Sequence, residues 1–217
     1  MLPDTTGFWT PVALSADLPA GTVMPARTPA GSIALWRSDS GRTAASADRC
    51  PHRGMRLSHG FVRGEALSCI YHGWSYAQAG NCLRIPAHPG LAPPETIRVA
   101  TQRVEETDGL IWVAVGEPTG HPPRMEGLVP LRSLMAHASV SALEIAAGVT
   151  ADPVGIVWKI QASQMIRLLL AVQEDDQTLI HVMLSDKCSP AQRIAASRAA
   201  ESLRRAAEAL QAKGIAP

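Results

Sequence analysis

Up to about Gly116, apolar residues come in short runs: Phe8 to Leu14, Ile33 to Arg37, Ala66 to Tyr71 and Leu110 to Val115. Turn residues separate them at Asp39-Ser40-Gly41, Arg63-Gly64-Glu65 and Ala79-Gly80-Asn81. Runs this short, bounded by Gly, Asn and Asp, predict strands and hence a small all-β first half. Residues 117–127, EPTGHPPRMEG, hold three Pro and two Gly and read as a connector. Beyond it, strands are expected at Val140 to Ala146, Gly155 to Ser163, Met165 to Val172 and Thr178 to Leu184. The last two form a hairpin through the polar tip Gln173 to Gln177.

Ser189-Pro190-Ala191-Gln192 then announces a helix: Ser as N-cap, Pro at the first helical position, Gln three residues after the cap. It is expected to run to Lys213, with Gly214 as the left-handed residue that ends it. Ala196, Ala199, Ala200, Leu203, Ala207 and Leu210 make one apolar stripe, which fits packing across the hairpin's sheet. The predicted class is α+β: small antiparallel sheets, followed by a small antiparallel sheet with a long C-terminal helix.

Composition narrows the class further. At 217 residues, 46% hydrophobic and 18% charged, the chain can bury a core, which excludes a disordered or fibrous protein. Twenty basic against nineteen acidic side chains leave a charge of +1, so the total recommends neither nucleic acid nor an anionic membrane as partner. No apolar run reaches the roughly 18–20 residues of a membrane helix, and the first twenty residues lack the order of a signal peptide. A cytoplasmic address is expected, and in a reducing compartment the four Cys read as thiols rather than disulfides.

Their spacing carries the chemistry. Cys50-Pro51-His52 and Cys69-Ile70-Tyr71-His72 give C-x-H, then C-x-x-H, with sixteen residues between His52 and Cys69. Gly54 and Gly73 follow, and each allows a tight loop around a ligand. Tetrahedral zinc is one reading, but zinc modules usually bring like ligands on each loop. Here each loop brings one thiolate and one imidazole, which suits a two-iron cluster with both Cys on one iron and both His on the other.

Cys50-Pro51-His52-Arg53-Gly54, Leu57-Ser58-His59-Gly60 and Cys69-Ile70-Tyr71-His72-Gly73-Trp74 resemble the Rieske iron-sulfur signature, most nearly that of the non-haem iron oxygenases such as the aromatic-acid demethylases. Phe8-Trp9-Thr10-Pro11-Val12, Ile85-Pro86 and Leu110-Ile111-Trp112-Val113 extend the resemblance over roughly residues 8 to 116. It implies an all-β Rieske domain over 1–118, a linker over 119–127 and a truncated oxygenase-like α+β domain over 128–217. It also implies a Rieske-type 2Fe-2S cluster on Cys50, His52, Cys69 and His72. The partners implied are a reductase or ferredoxin and an oxygenase, in a homo- or hetero-oligomer, with no nucleic acid and no membrane.

Respiratory Rieske proteins are similar but place a Ser after the second-loop Gly and a Tyr two residues further, both donating to sulfur, and carry an extra disulfide-forming Cys in each loop. This chain has Trp74 at the Ser position, retains Tyr76, and has Met55 and Tyr71 where the extra Cys would stand. The resemblance therefore implies a potential toward the low end of the Rieske range. Cys82 and Cys188 read as buried small residues, His59 and His88 as loop histidines and Trp74 as packing over a cluster loop. Arg49, Arg53, Arg56 and Arg63 read as either a solvated surface or a basic rim.

In the oxygenases resembled, a second domain binds a mononuclear iron through two nearby His and a carboxylate. After the linker only His137 and His181 remain, 44 residues apart, and His121 lies within the linker, so a complete triad is not expected. The functions that fit are a single-electron carrier in an oxygenase-like system, an oxygenase subunit whose mononuclear iron comes from a partner, and a redox or ligand sensor. No catalytic residue is assigned.

Overall fold

The computed structural model of the chain describes residues 7–118, 120–151, 156–161 and 164–215, with no side-chain description between 152 and 165. The chain divides into two compact units, Met1–Glu106 with Ile111–Pro122, and Thr107–Leu110 with Pro123–Pro217.

The first unit contains two antiparallel sheets. Its strands are β1 (Trp9–Leu14), β2 (Thr22–Thr28), β3 (Gly31–Arg37), β4 (Thr43–Ala47), β5 (Phe61–Arg63), β6 (Ala66–Ser68), β7 (Ser75–Tyr76), β8 (Cys82–Arg84), β9 (Thr101–Thr107) and β10 (Leu110–Ala114). The larger sheet runs β1-β10-β9-β4-β3-β2 and the smaller β5-β6-β7-β8. Pro25 sits in β2 because β2 is an edge strand, where a missing N–H leaves no ladder bond unmade.

β3 explains how the sheets are held. Ile33, Ala34, Leu35 and Trp36 are all buried, and successive side chains point to opposite faces. Ile33 and Leu35 pack with Val12, Ile111 and Val113. Ala34 and Trp36 join Leu57, Leu67 and Tyr76 together with Cys50 and Cys69. The larger sheet thus offers one apolar face to the small sheet and its loops, and a strand buried on both faces reads as the continuous apolar run seen in the sequence.

The second unit has one antiparallel sheet of β11 (Leu128–Ala136), β12 (Ile156–Gln161), β13 (Gln164–Val172) and β14 (Thr178–Ser185), in the order β11-β14-β13-β12. Two helices, α1 (Val140–Ala147) and α2 (Pro190–Ala212), supply Ala142, Leu143, Ala196, Ala200, Leu203 and Ala207 to a core shared with Leu168, Leu170, Ile180 and Val182. The α2 cap has the expected form. Ser189 Oγ accepts from Gln192 N, Gln192 Oε1 accepts from Ser189 N, and Gly214 (φ 64) ends the helix as Ile215 N donates to Leu210 O. Ala199 and Leu210 of the expected stripe are half-buried. The 165–184 hairpin forms as expected, and the strand expected at Gly155 to Ser163 is observed over Ile156–Gln161, its other residues lying outside the described ones.

The strand expected at Val140 to Ala146 is instead α1. Ser139 Oγ accepts from Ala142 N, Gly148 (φ 68) closes the last turn, and Ala142 with Leu143 enters the core. A helical cap and stop at the two ends override the β-branched Val140.

Candidate metal centre

Both loops that carry the expected ligands are built in the same way. In the first, Cys50 N donates to Met55 O at 2.8 Å and Gly54 N donates to Cys50 O at 2.8 Å. In the second, Cys69 N donates to Trp74 O at 2.9 Å and Gly73 N donates to Cys69 O at 3.0 Å. Each is a five-residue turn that begins at Cys and ends at a Gly with positive φ, 75° at Gly54 and 69° at Gly73. The backbone pattern therefore repeats, while the imidazole is borne at the third position in one loop and the fourth in the other.

The neck of the first loop is closed by Asp48. Its buried carboxylate accepts from Ser58 N at 2.7 Å and from Ser58 Oγ at 2.8 Å, which ties residue 48 to the short 3-10 turn Leu57–His59. The second loop is pinned between β6 and β7, whose register pairs Ser68 with Ser75. Gly60 has no room for a side chain, since a Cβ there would overlap the Ser68 carbonyl just before Cys69.

These supports bring the four expected ligands to one end of the small sheet. Cys50 and Cys69 are each 2% exposed. Burial pushes the Cys69 thiol up, and the neighbouring Cys50 thiol adds to the effect. His52 and His72 lie at the tip with ring centroids 4.6 Å apart, His72 exposed and His52 half-buried. Burial, then His72, then Arg53 lowers the His52 pKa.

Aromatic groups line the site. Trp74 stacks flat on His52, with centroids 4.3 Å apart and planes 5° from parallel, and Tyr71 tilts over His72 at 3.9 Å. Tyr76 Oη stands 3.1 Å from Cys50 Sγ. Burial, then the Cys50 thiol, raises the Tyr76 pKa, so the phenol stays protonated and is the donor whenever the Cys50 sulfur is a thiolate.

The donor chemistry fits a two-iron cluster: two buried thiols and two outer imidazoles, one of each per loop. Among the described residues no three His, Cys, Asp or Glu side chains converge on a single-ion site. A cluster with two protein ligands on each iron needs no such trio.

The remaining candidates are spread out. Cys82 is buried beside Tyr76, donating to Arg84 O, whereas Cys188 is only half-buried, and no disulfide forms. His59, His88, Arg49, Arg53, Arg56 and Arg63 are exposed. His121 Nδ1 pairs with Glu105 at 2.9 Å. In the second unit His181 is fully buried and bonds Ser133 Oγ at 2.8 Å, while His137 is exposed four residues along the chain from Ser133, about 13 Å at strand rise. The tight loops expected at Gly54 and Gly73 and the packing expected of Trp74 are both seen, whereas the Asp48 clamp had no signal in the sequence reading.

The description that matches residues 8–100 is the Rieske [2Fe-2S] domain. Oxidoreductase NdmD of Pseudomonas putida is 44% identical over 115 residues, covering 52% of this chain and 20% of that protein. The 4beta-methylsterol monooxygenase of Methylococcus capsulatus is 38% identical over 131 residues, covering 55% of this chain and 35% of the other. The chain thus spans between a fifth and about a third of these relatives. Among solved structures, NdmA of Pseudomonas putida CBB5 superposes with a TM-score of 0.69 at 20% identity, over 93% of this chain and 79% of the other. That likeness is one of fold, and it reaches into the second unit. No helix among the described residues is long and apolar enough to cross a membrane.

Proposed function

Residues 8–100 match the Rieske [2Fe-2S] domain, and from that match we propose that the chain carries such a domain and passes single electrons in an oxygenase-like redox system. In this reading Cys50 and Cys69 hold one iron and His52 and His72 the other. The cluster, when bound, supplies a centre that takes up and releases one electron at a time. The chain's own groups supply its setting. Leu57, Leu67 and Tyr76 keep water from the two thiols. The Tyr76 hydroxyl donates to Cys50 sulfur, and the Trp74 face fixes the plane of the His52 ring. His72 is exposed, which supports an electron route out at the surface.

The observation that supports this most is the repeated turn, which sets one Cys and one His on each loop and brings the two imidazoles within 4.6 Å. Electrons would come from a flavin or ferredoxin-type reductase and go to an oxygenase, in the cytoplasm. The boundaries that go with this reading are a Rieske domain at 1–118, a linker at 119–127 and a shortened oxygenase-like domain at 128–217.

A second reading rests on the fold likeness that extends into the second unit: the chain is an oxygenase subunit whose mononuclear iron comes from a partner. Iron and sulfide analysis of anaerobically purified protein separates the two. Two irons and two sulfides per chain, reducible by a flavin reductase and without a stable hetero-complex, support the carrier. A further iron in a co-purified complex supports the subunit, and zinc without sulfide contradicts both.

A further inference from the structure

The overall charge of +1 conceals an asymmetry. Residues 49–94 carry five Arg against a single Glu, while the rest of the chain carries fifteen basic and eighteen acidic side chains. That one acid, Glu65, is already bound by Arg42 at 2.7 Å and by Ser40. Elsewhere in the unit Arg37 pairs with Glu106 and Arg103 with Glu117, both at 2.9 Å, while Arg98 donates to Ala79 O. Among the described residues, Arg49, Arg53, Arg56 and Arg84 enter no ion pair.

All four belong to the ligand loops or their supports. Arg49 precedes Cys50, and its guanidinium lies beside Gly54. Arg53 follows His52, and Arg56 leads out of the first loop. Arg84 on β8 faces Ser75, one residue beyond Trp74. In the same region the tip of the second loop turns Ile70 and Tyr71 to solvent, 58% and 55% exposed, with the Tyr71 ring against His72.

Uncompensated guanidinium groups of one sign create a local positive potential that attracts and orients an anionic protein before contact. A small apolar centre then supplies short-range adhesion. This combination suits the brief complexes of electron-transfer proteins, which bury less than about 1,200 Å². We propose that this tip is the docking surface for an acidic redox protein, with Ile70 and Tyr71 at its centre and Arg49, Arg53, Arg56 and Arg84 as its rim. The inference rests on the reading that His52 and His72 are cluster ligands, and it adds to that reading the chemistry of the partner.

The probe is an acidic plant-type [2Fe-2S] ferredoxin, titrated calorimetrically against the full chain with its cluster loaded. The rim predicts that affinity falls about tenfold or more between low and high salt, because the Debye length shrinks from about 30 Å at 0.01 M to about 3 Å at 1 M. At low salt the double variant Arg56→Glu with Arg84→Glu weakens binding roughly tenfold and slows reduction by the ferredoxin in proportion. Ile70→Ser weakens the affinity that survives at high salt. Each variant keeps the dithionite-reduced Rieske EPR signal, which shows that the fold and the ligands are intact.

With that signal intact, an affinity unchanged by salt and by charge reversal overturns the docking proposal and leaves the ligand reading standing. So does the absence of ferredoxin binding. Self-association abolished by Arg56→Glu with Arg84→Glu assigns the surface to a second copy, and binding to phosphatidylserine vesicles in place of ferredoxin assigns it to a membrane; either contradicts the proposal. Loss of the EPR signal in the unaltered chain removes the ligand reading itself.

Discussion

Tyr76 Oη lies 3.1 Å from Cys50 Sγ, with the tyrosine 1% exposed and the cysteine 2%. In that dry setting a protonated phenol has one strong acceptor, and a donor to a ligand thiolate favours the more negative, reduced state.

Tyr76→Phe removes that donor while keeping the ring, so the midpoint potential falls. A hydrogen bond to a charged group is worth about 1.5–3 kcal/mol, only part of which differs between redox states, and for one electron 59 mV is about 1.4 kcal/mol. A drop of roughly 30–60 mV is expected in a redox titration. An unchanged midpoint contradicts the assigned role of Tyr76.

Trp74 stands at the position where the resemblance to respiratory Rieske proteins would put a Ser donor, and it presents a ring face to His52. The unaltered protein is therefore expected toward the lower end of the range of about −150 to +300 mV. A midpoint above about +150 mV on the same scale contradicts this account.

The two turns differ in what lies beside their glycines. Both have positive φ, so Gly54→Ala and Gly73→Ala each incur about 1–2 kcal/mol of backbone strain. At Gly73 the added Cβ also meets Pro86 Cγ at 3.0 Å, whereas at Gly54 it meets the end of the flexible Arg49 side chain at 3.4 Å. Gly73→Ala is expected to lose more iron and more thermal stability than Gly54→Ala, measured by iron content and Tm on the same preparations; the reverse order contradicts the pairing of the turns with these neighbours.

On α2, hydrogen bonds from Arg204, then Arg205, hold Glu201 down to about 2. A folded pKa below the unfolded one stabilises the protein above the unfolded value, and that contribution is lost as pH falls from about 4.5 to about 2. Glu201→Gln should lower the Tm slightly at pH 6 and match the unaltered chain near pH 2, with a small effect because the pair sits at the solvated helix surface, where Arg205 is exposed. An equal difference at both pH values contradicts the ion-pair origin.

The Cys, His and Gly of the two loops were legible because each loop carries its donors within five residues, and ligand chemistry restricts the residue types. Asp48 and Ser58 were not, since their bond joins positions ten apart with no periodic signal. β9 escaped because TQRVEET is polar, and β2 carries Pro25, which a strand accommodates at a sheet edge. α1 was expected as a strand from element order alone, although Ser139 and Gly148 mark its ends as plainly as Ser189 and Gly214 mark those of α2. The second face of the sheet in the other unit, with His181 buried against Ser133, had no counterpart in the sequence reading.

The central claim is that His52 and His72 bind the same iron while Cys50 and Cys69 bind the other. Its most direct test is electron-nuclear double resonance on the dithionite-reduced, anaerobically purified protein labelled with nitrogen-15 histidine. Two histidine nitrogens coupled to the reduced iron, one lost in His52→Cys and one in His72→Cys, is the result expected. A cluster signal without histidine coupling, or no iron-sulfur signal in protein that binds zinc, would contradict it.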